Sequence, residues 1–315
     1  MFKMLDFKPL PGMRSHHSQM LFANFYPSGR EPYANQWLVS LSDGDRISCE
    51  VSTPDNWKPV HPMLVMIHGL GGSHRSAYMI RLSRKFYRLG YRVVRVNLRG
   101  CGSGVGLNNR PYNSGNSQDI KEVLEALKLQ SPQSPITLMG FSLGGNIAIK
   151  MAGELGDKAS KLVKRVIAVC PPIDLNQSIK YISRSSNWLY HKSFVKYMLI
   201  QGYRWAKDHS IQSIYEYDQK VTAPVWGYKS AEDYYVKCSS CNFISNVKVQ
   251  CDVVLTTDDP FIDHRDLKNR AIDSGTNVWL ANGGGHLGFI GWAGKEQGFY
   301  WLDKLLVDWL GSTHS

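Results

Sequence analysis

The chain has 315 residues, 43% of them hydrophobic and 20% charged, a balance that suits a globular protein with a sizeable core and excludes a fibrous or disordered one. Its 37 basic and 26 acidic side chains leave a net charge of +11, but the basic residues are scattered and no nucleic-acid-binding motif is present, so nucleic acid is not an expected partner. Six cysteines, at 49, 101, 170, 238, 241 and 251, form no disulfide framework, and the lone Cys238-Ser-Ser-Cys241 lacks the second ligand pair that a zinc site needs.

Residues 1–35, punctuated by Pro9, Pro11, Pro27 and Pro32, read as irregular. They show no basic-led apolar leader, and no run of about 20 apolar residues occurs anywhere, so a soluble cytoplasmic protein is expected. Alternation over 36–51 predicts two short strands joined at Ser42-Asp43-Gly44-Asp45. The unbroken apolar run 63–67 predicts a strand buried on both faces. A helix over 76–89 closes at Gly90, and a strand over 91–97 stops at Arg99-Gly100-Cys101-Gly102. The densest basic stretch (Arg81, Arg84, Lys85, Arg88, Arg92, Arg95) falls here and reads as a solvated helix face running into that strand. An amphipathic helix over 118–129, a strand over 136–139, a helix from 146 to 153 and a strand over 163–170 follow, the last ended by Pro171-Pro172.

Strands alternating with helices imply a mostly parallel, doubly wound α/β sheet. After Pro172 the composition changes. Residues 173–222 are rich in aromatic and basic side chains and read as a helical cap inserted over the carboxyl edge of the sheet. Strands over 249–255 and 276–280 and a helix over 298–310 complete what reads as one domain, 1–315.

The chemistry centres on Gly140-Phe141-Ser142-Leu143-Gly144, a G-x-S-x-G pattern between a predicted strand and a predicted helix. That context lifts the serine hydroxyl off the sheet on a tight turn, at a helix amino end that favours negative charge. A serine needs a base, and in the α/β-hydrolase fold the partners follow in the order acid, then histidine. His286 lies in the glycine-rich loop after the predicted strand 276–280. Two candidates for the acid, Asp258 and Asp259, follow the strand 249–255, and Asp259, before Pro260-Phe261, is the preferred one. Asp258 is then a turn-capping residue, and Asp263 and Asp266 begin the next helix. An oxyanion hole needs two backbone N–H groups. Leu143, after the nucleophile, supplies one, and Leu70 in His68-Gly69-Leu70-Gly71-Gly72 the other. That glycine-rich segment lacks the lysine and spacing of a phosphate loop.

Taken together, His68-Gly-Leu-Gly-Gly72, Asn97-Leu-Arg-Gly-Cys101, Ser114-Gly115 with Asp119, Gly140-Phe-Ser-Leu-Gly-Gly-Asn146, Asp258-Asp-Pro-Phe261 and Gly284-Gly-His-Leu-Gly-Phe289 resemble the YheT-like α/β-hydrolases. This group is related to eukaryotic α/β-hydrolase-domain proteins that act on esters and phospholipids. The resemblance implies the α/β-hydrolase fold and a serine triad on Ser142, the Asp258/Asp259 pair and His286. Val221-Thr-Ala-Pro224 and Asp233-Tyr-Tyr235 match a family segment after the cap and are expected to be structural.

These readings predict a serine esterase or lipase-like enzyme that works through an acyl-enzyme on Ser142, without metal or organic cofactor. The expected partner is a small-molecule ester or lipid with an apolar acyl group. Basic cap residues (Lys180, Arg184, Lys192, Lys196, Arg204, Lys207) could meet an anionic head group or membrane surface, although a solvated helix face is the simpler account. Two rival readings share the fold: an acyltransferase using the same three residues, and a non-catalytic binding protein.

Overall fold

The computed structural model describes residues 2–25, 29–206, 210–268, 270–295 and 298–311. Lys207 of the cap and Pro27 lie outside them. In chain order the strands and helices are β1 (Lys3–Leu5), α1 (His16–Phe25), β2 (Asn35–Ser40), β3 (Arg46–Ser52), β4 (Met63–Ile67), α2 (Ala77–Arg88), β5 (Arg92–Asn97), α3 (Ser117–Gln130), β6 (Ile136–Phe141), α4 (Leu143–Leu155) and β7 (Arg165–Val169). There follow α5 (Leu175–Ile182), α6 (Trp188–Gln201), α7 (Ile214–Tyr217), α8 (Ala223–Trp226), α9 (Ala231–Cys238), β8 (Gln250–Thr256), β9 (Thr276–Ala281) and α10 (Trp301–Gly311).

The strands form one sheet in the order β1-β9-β8-β7-β6-β4-β5-β3-β2. Only β2–β3 and β3–β5 pair antiparallel; the other neighbours are parallel. The central strands read as unbroken apolar runs because both faces are covered. On β4, Met63, Val65 and Ile67 join a core with Ile120, Val123 and Leu127 of α3 and Ile147 and Met151 of α4. Leu64 and Met66, pointing the other way, join Met79, Leu82 and Phe86 of α2 and Leu302 and Leu306 of α10. This is the α/β-hydrolase fold, and its candidate reactive edge is the carboxyl end of β4, β6, β8 and β9.

Two expectations are corrected. Residues 1–35 are not irregular throughout, because β1 adds an edge strand beside β9 and α1 packs against the far end of the chain. Gln19 of α1 is fully buried and grips the backbone of Ile290 from both sides: its Nε2 donates to the carbonyl at 3.1 Å, and its Oε1 accepts the N–H at 2.5 Å. The basic stretch is not simply a solvated face. Arg81 is buried against Asp303, and Arg95, fully buried, donates to Glu31 at 2.9 Å and to the His74 carbonyl at 3.1 Å. A charge inside the fold is retained only with a partner, and both partners lie far off in sequence. The chain between β7 and β8 stays largely helical past residue 222. α9 packs Tyr234, Tyr235 and Cys238 against Leu175 of α5, and short turns continue to Asn246.

Between α7 and α8 the helix widens into one π turn, Asp218–Thr222. Among the described residues no helix is long and apolar enough to cross a membrane. All six cysteines are unbridged.

Candidate active site

Ser142 caps α4 with φ 50° and ψ −120°, a conformation that a side chain adopts only when its surroundings enforce it. The glycines on either side show why. A Cβ on Gly140 would lie 2.2 Å from the Gly144 carbonyl oxygen, and one on Gly144 would lie 2.4 Å from the Ile67 carbonyl oxygen. β6 can therefore turn directly into α4, and the helix starts at Leu143, three residues before the expected start at 146. The Ser142 N–H is spent on Val169, at 2.8 Å.

The hydroxyl of Ser142 lies 2.9 Å from His286 Nε2, and His286 Nδ1 lies 2.7 Å from Asp259 Oδ2. All three side chains leave the carboxyl ends of strands, β6, β8 and β9. Asp259 is held in turn: its Oδ1 accepts the N–H groups of Phe261 at 2.8 Å and Ile262 at 3.1 Å. Phe261 packs edge-on against the imidazole, with ring centroids 5.0 Å apart. Asp258 faces the other way. Its Oδ1 accepts the Gly285 N–H at 2.8 Å and so braces the histidine loop. Asp263 caps the short turn His264–Leu267 and does not join the cluster; Asp266 lies within that turn.

Leu70 and Leu143 both line the cavity that Ser142 and His286 open into. Leu143 is the first residue of α4, where a helix leaves its N–H groups without an internal partner. In the other loop the Gly69 N–H is already held by the Tyr78 hydroxyl at 2.9 Å, which leaves the next amide, Leu70, as the candidate donor. His68 fixes this loop. Its Nδ1 donates to the Gly69 carbonyl at 2.8 Å and its Nε2 accepts the Leu98 N–H at 3.1 Å. Burial pushes the His68 imidazole down to about 4, so it stays neutral in that arrangement.

Two spaces meet at Ser142. An inner cavity of about 60 Å³ runs under the helices, lined by α5, the π turn and α9. An outer groove of about 460 Å³ lies between the Gly69–Gly72 loop, α6 and Leu287. Some lining residues were expected to be only structural. Thr222, Tyr234 and Tyr235 all face the inner cavity, and Asp218 joins them. The π turn that aims Asp218 and Thr222 inward has no periodic signature in sequence.

Cys170 is a neighbour that the sequence did not single out. It sits after β7 with φ 47°, and its sulfur, one carboxylate oxygen of Asp259 and one ring nitrogen of His286 all lie within 4.8 Å of one another. These three could in principle hold a metal. Burial pushes the thiol well above its ordinary range, however, so it is present as the weakly ligating thiol beside a carboxylate already bound to the imidazole.

The chain has the α/β-hydrolase fold, and a family model described as alpha/beta hydrolase fold matches residues 62–199. Among proteins of that fold it resembles the YheT-like α/β-hydrolases over nearly its whole length. It is 26% identical to the YheT protein of Escherichia coli over 97% of this chain and 93% of that one. It is 24% identical to human phospholipase ABHD3 over 87% of this chain and 70% of that one. Among solved structures, the Pyrococcus furiosus esterase Pf2001 superposes with a TM-score of 0.58 at 17% identity, covering 99% of this chain and 97% of that one.

Proposed function

We propose that this protein is a carboxylic ester hydrolase that works through an acyl-enzyme on Ser142. The observation that carries the reading is one imidazole spanning two partners: 2.9 Å to the Ser142 hydroxyl on one nitrogen and 2.7 Å to Asp259 on the other. With Asp259 on Nδ1, His286 keeps its proton there and presents Nε2 as the base. Ser142 Oγ attacks the carbonyl carbon and its proton passes to Nε2. The oxyanion is held by the Leu143 and Leu70 N–H groups, and the imidazolium then protonates the departing alcohol. Water repeats the sequence on the acyl-enzyme, releasing the acid and restoring Ser142. The acyl chain occupies the inner cavity and the alcohol leaves by the outer groove. The similar proteins named above as phospholipase and esterase agree with ester chemistry.

The same reading extends to a lipid surface. Trp188, Lys192, Lys196 and Ile200 recur every four residues along α6, with Trp188 52% and Ile200 56% exposed. Tyr197 of the same helix lines the outer groove. Apolar side chains interleaved with lysines suit peripheral contact with an anionic bilayer.

The test is an activated short-chain ester and a fluorophosphonate probe. The expected result is a burst of product and labelling, both lost in Ser142→Ala. Full hydrolysis by that variant would overturn the proposal.

A further inference from the structure

The inner cavity is neither roomy nor uniformly apolar. Its volume of about 60 Å³ is small beside the 460 Å³ of the outer groove. Leu143 and Phe261 supply apolar wall. Another part of the wall is polar, and several of its groups are already hydrogen-bonded to one another. Asp218 accepts from Tyr235 Oη and Thr222 Oγ1, each at 2.7 Å, so both its oxygens are engaged. Tyr234 Oη donates to Ser114 Oγ at 2.7 Å and accepts the Ser114 N–H at 2.7 Å.

Of the other hydroxyls, two are buried without a partner. Tyr112 Oη and Ser178 Oγ line the same cavity, both atoms are buried, and neither has a hydrogen-bond partner among the described residues. Ser178 is only 2% exposed. Tyr112 lines the cavity together with Tyr217, Asp218 and Tyr234. Buried hydroxyls are nearly always paired, and an unpaired one is destabilising. A site that leaves two such groups open to a substrate channel is matched to a ligand that completes them.

We infer that the inner cavity selects short acyl chains carrying a neutral oxygen function, a hydroxyl or a carbonyl, which hydrogen-bonds with Tyr112 and Ser178. The inference rests on the ester-hydrolase reading of Ser142. Neutrality follows from the lining: it contains no lysine or arginine and does contain Asp218, so a carboxylate tail would enter without a counter-charge. Recognition of this kind is strongly selective, because an alkyl isostere leaves the protein hydroxyls unpaired.

The test uses the full chain and matched ethyl esters in which hydroxyl replaces methyl: 3-hydroxybutyrate against 3-methylbutyrate, and 6-hydroxyhexanoate against heptanoate. The monoethyl ester of a dicarboxylic acid is added. Fluorophosphonate labelling of Ser142 is run in parallel. The expected result is a preference of roughly tenfold or more in kcat/KM for at least one hydroxy ester over its isostere, with the dicarboxylate monoester poor. That ratio falls towards unity in Tyr112→Phe and in Ser178→Ala. A labelled wild-type protein that prefers every alkyl isostere, or the charged monoester, overturns this inference and leaves the ester-hydrolase reading standing. Absence of labelling and of ester hydrolysis overturns both. The wild-type ratio decides the matter even if neither variant folds.

Discussion

Replacing Asp259 by asparagine should disable the site through proton placement rather than loss of shape. Asp259 Oδ1 accepts two backbone N–H groups, from Phe261 and Ile262, while Oδ2 faces His286 Nδ1 at 2.7 Å. In Asp259→Asn the amide oxygen must keep the two N–H donors, because an NH₂ group there would face donors on both sides. The NH₂ is therefore turned towards Nδ1, which must give up its hydrogen to accept. The imidazole proton moves to Nε2, the atom 2.9 Å from Ser142 Oγ, and the base is lost. Such a tautomer reversal is worth about 10⁴ in rate, or about 5.5 kcal/mol of transition-state stabilisation. Asp258→Asn is the matched comparison, since its contact with the Gly285 N–H needs only an acceptor oxygen. The assay is kcat/KM on an activated ester, with thermal melting to show that both variants fold. Loss within tenfold for Asp259→Asn, or a larger loss for Asp258→Asn, would refute the reasoning.

Asp303 is fully buried under Arg81 and Lys85. Asp303→Ala strands the buried guanidinium of Arg81 at a cost of about 3–5 kcal/mol, which in a chain of this length lowers Tm by about 5–8 °C, measurable by calorimetry. Burial raises the Asp218 carboxyl from 3.8 to about 7. Folding thus favours its protonated form. That stability, at most about 4 kcal/mol, is present in full below the unfolded value near 4 and is lost as pH climbs through about 7. Tm of the wild type should fall over this interval relative to Asp218→Asn, and parallel profiles would contradict it. Exchanging Lys192 and Lys196 for glutamate should reduce sedimentation with anionic vesicles by roughly tenfold or more, at about 1 kcal/mol per lysine removed, and equal binding would remove α6 from the contact.

The sheet was legible because its signals are local. The run 63–67 and the Gly140-to-Gly144 turn carry their geometry in adjacent residues, and the order of serine, acid and histidine follows the strands that bear them. Choosing Asp259 over Asp258 rested on the Pro-Phe that follows, and those residues do shape the site: the Phe261 amide orients the carboxylate and its ring backs the imidazole. What escaped detection depends on partners remote in sequence. Gln19 on Ile290, Arg81 on Asp303 and Arg95 on Glu31 are pairings that no window of neighbouring residues reveals. The π turn was illegible for another reason: its five residues, Asp218–Thr222, are too few to show a period of their own.

The clasp between Gln19 and Ile290 also bears on how the molecule is made. It links positions 271 apart, and β1 waits for β9 in the same way. Contacts of such large sequence separation form late, after the local pairings of the central strands. A chain that has folded those strands but not closed this clasp holds the histidine loop through Asp258 and Asp259 without the brace at Ile290. Competence in refolding should therefore lag behind formation of the sheet.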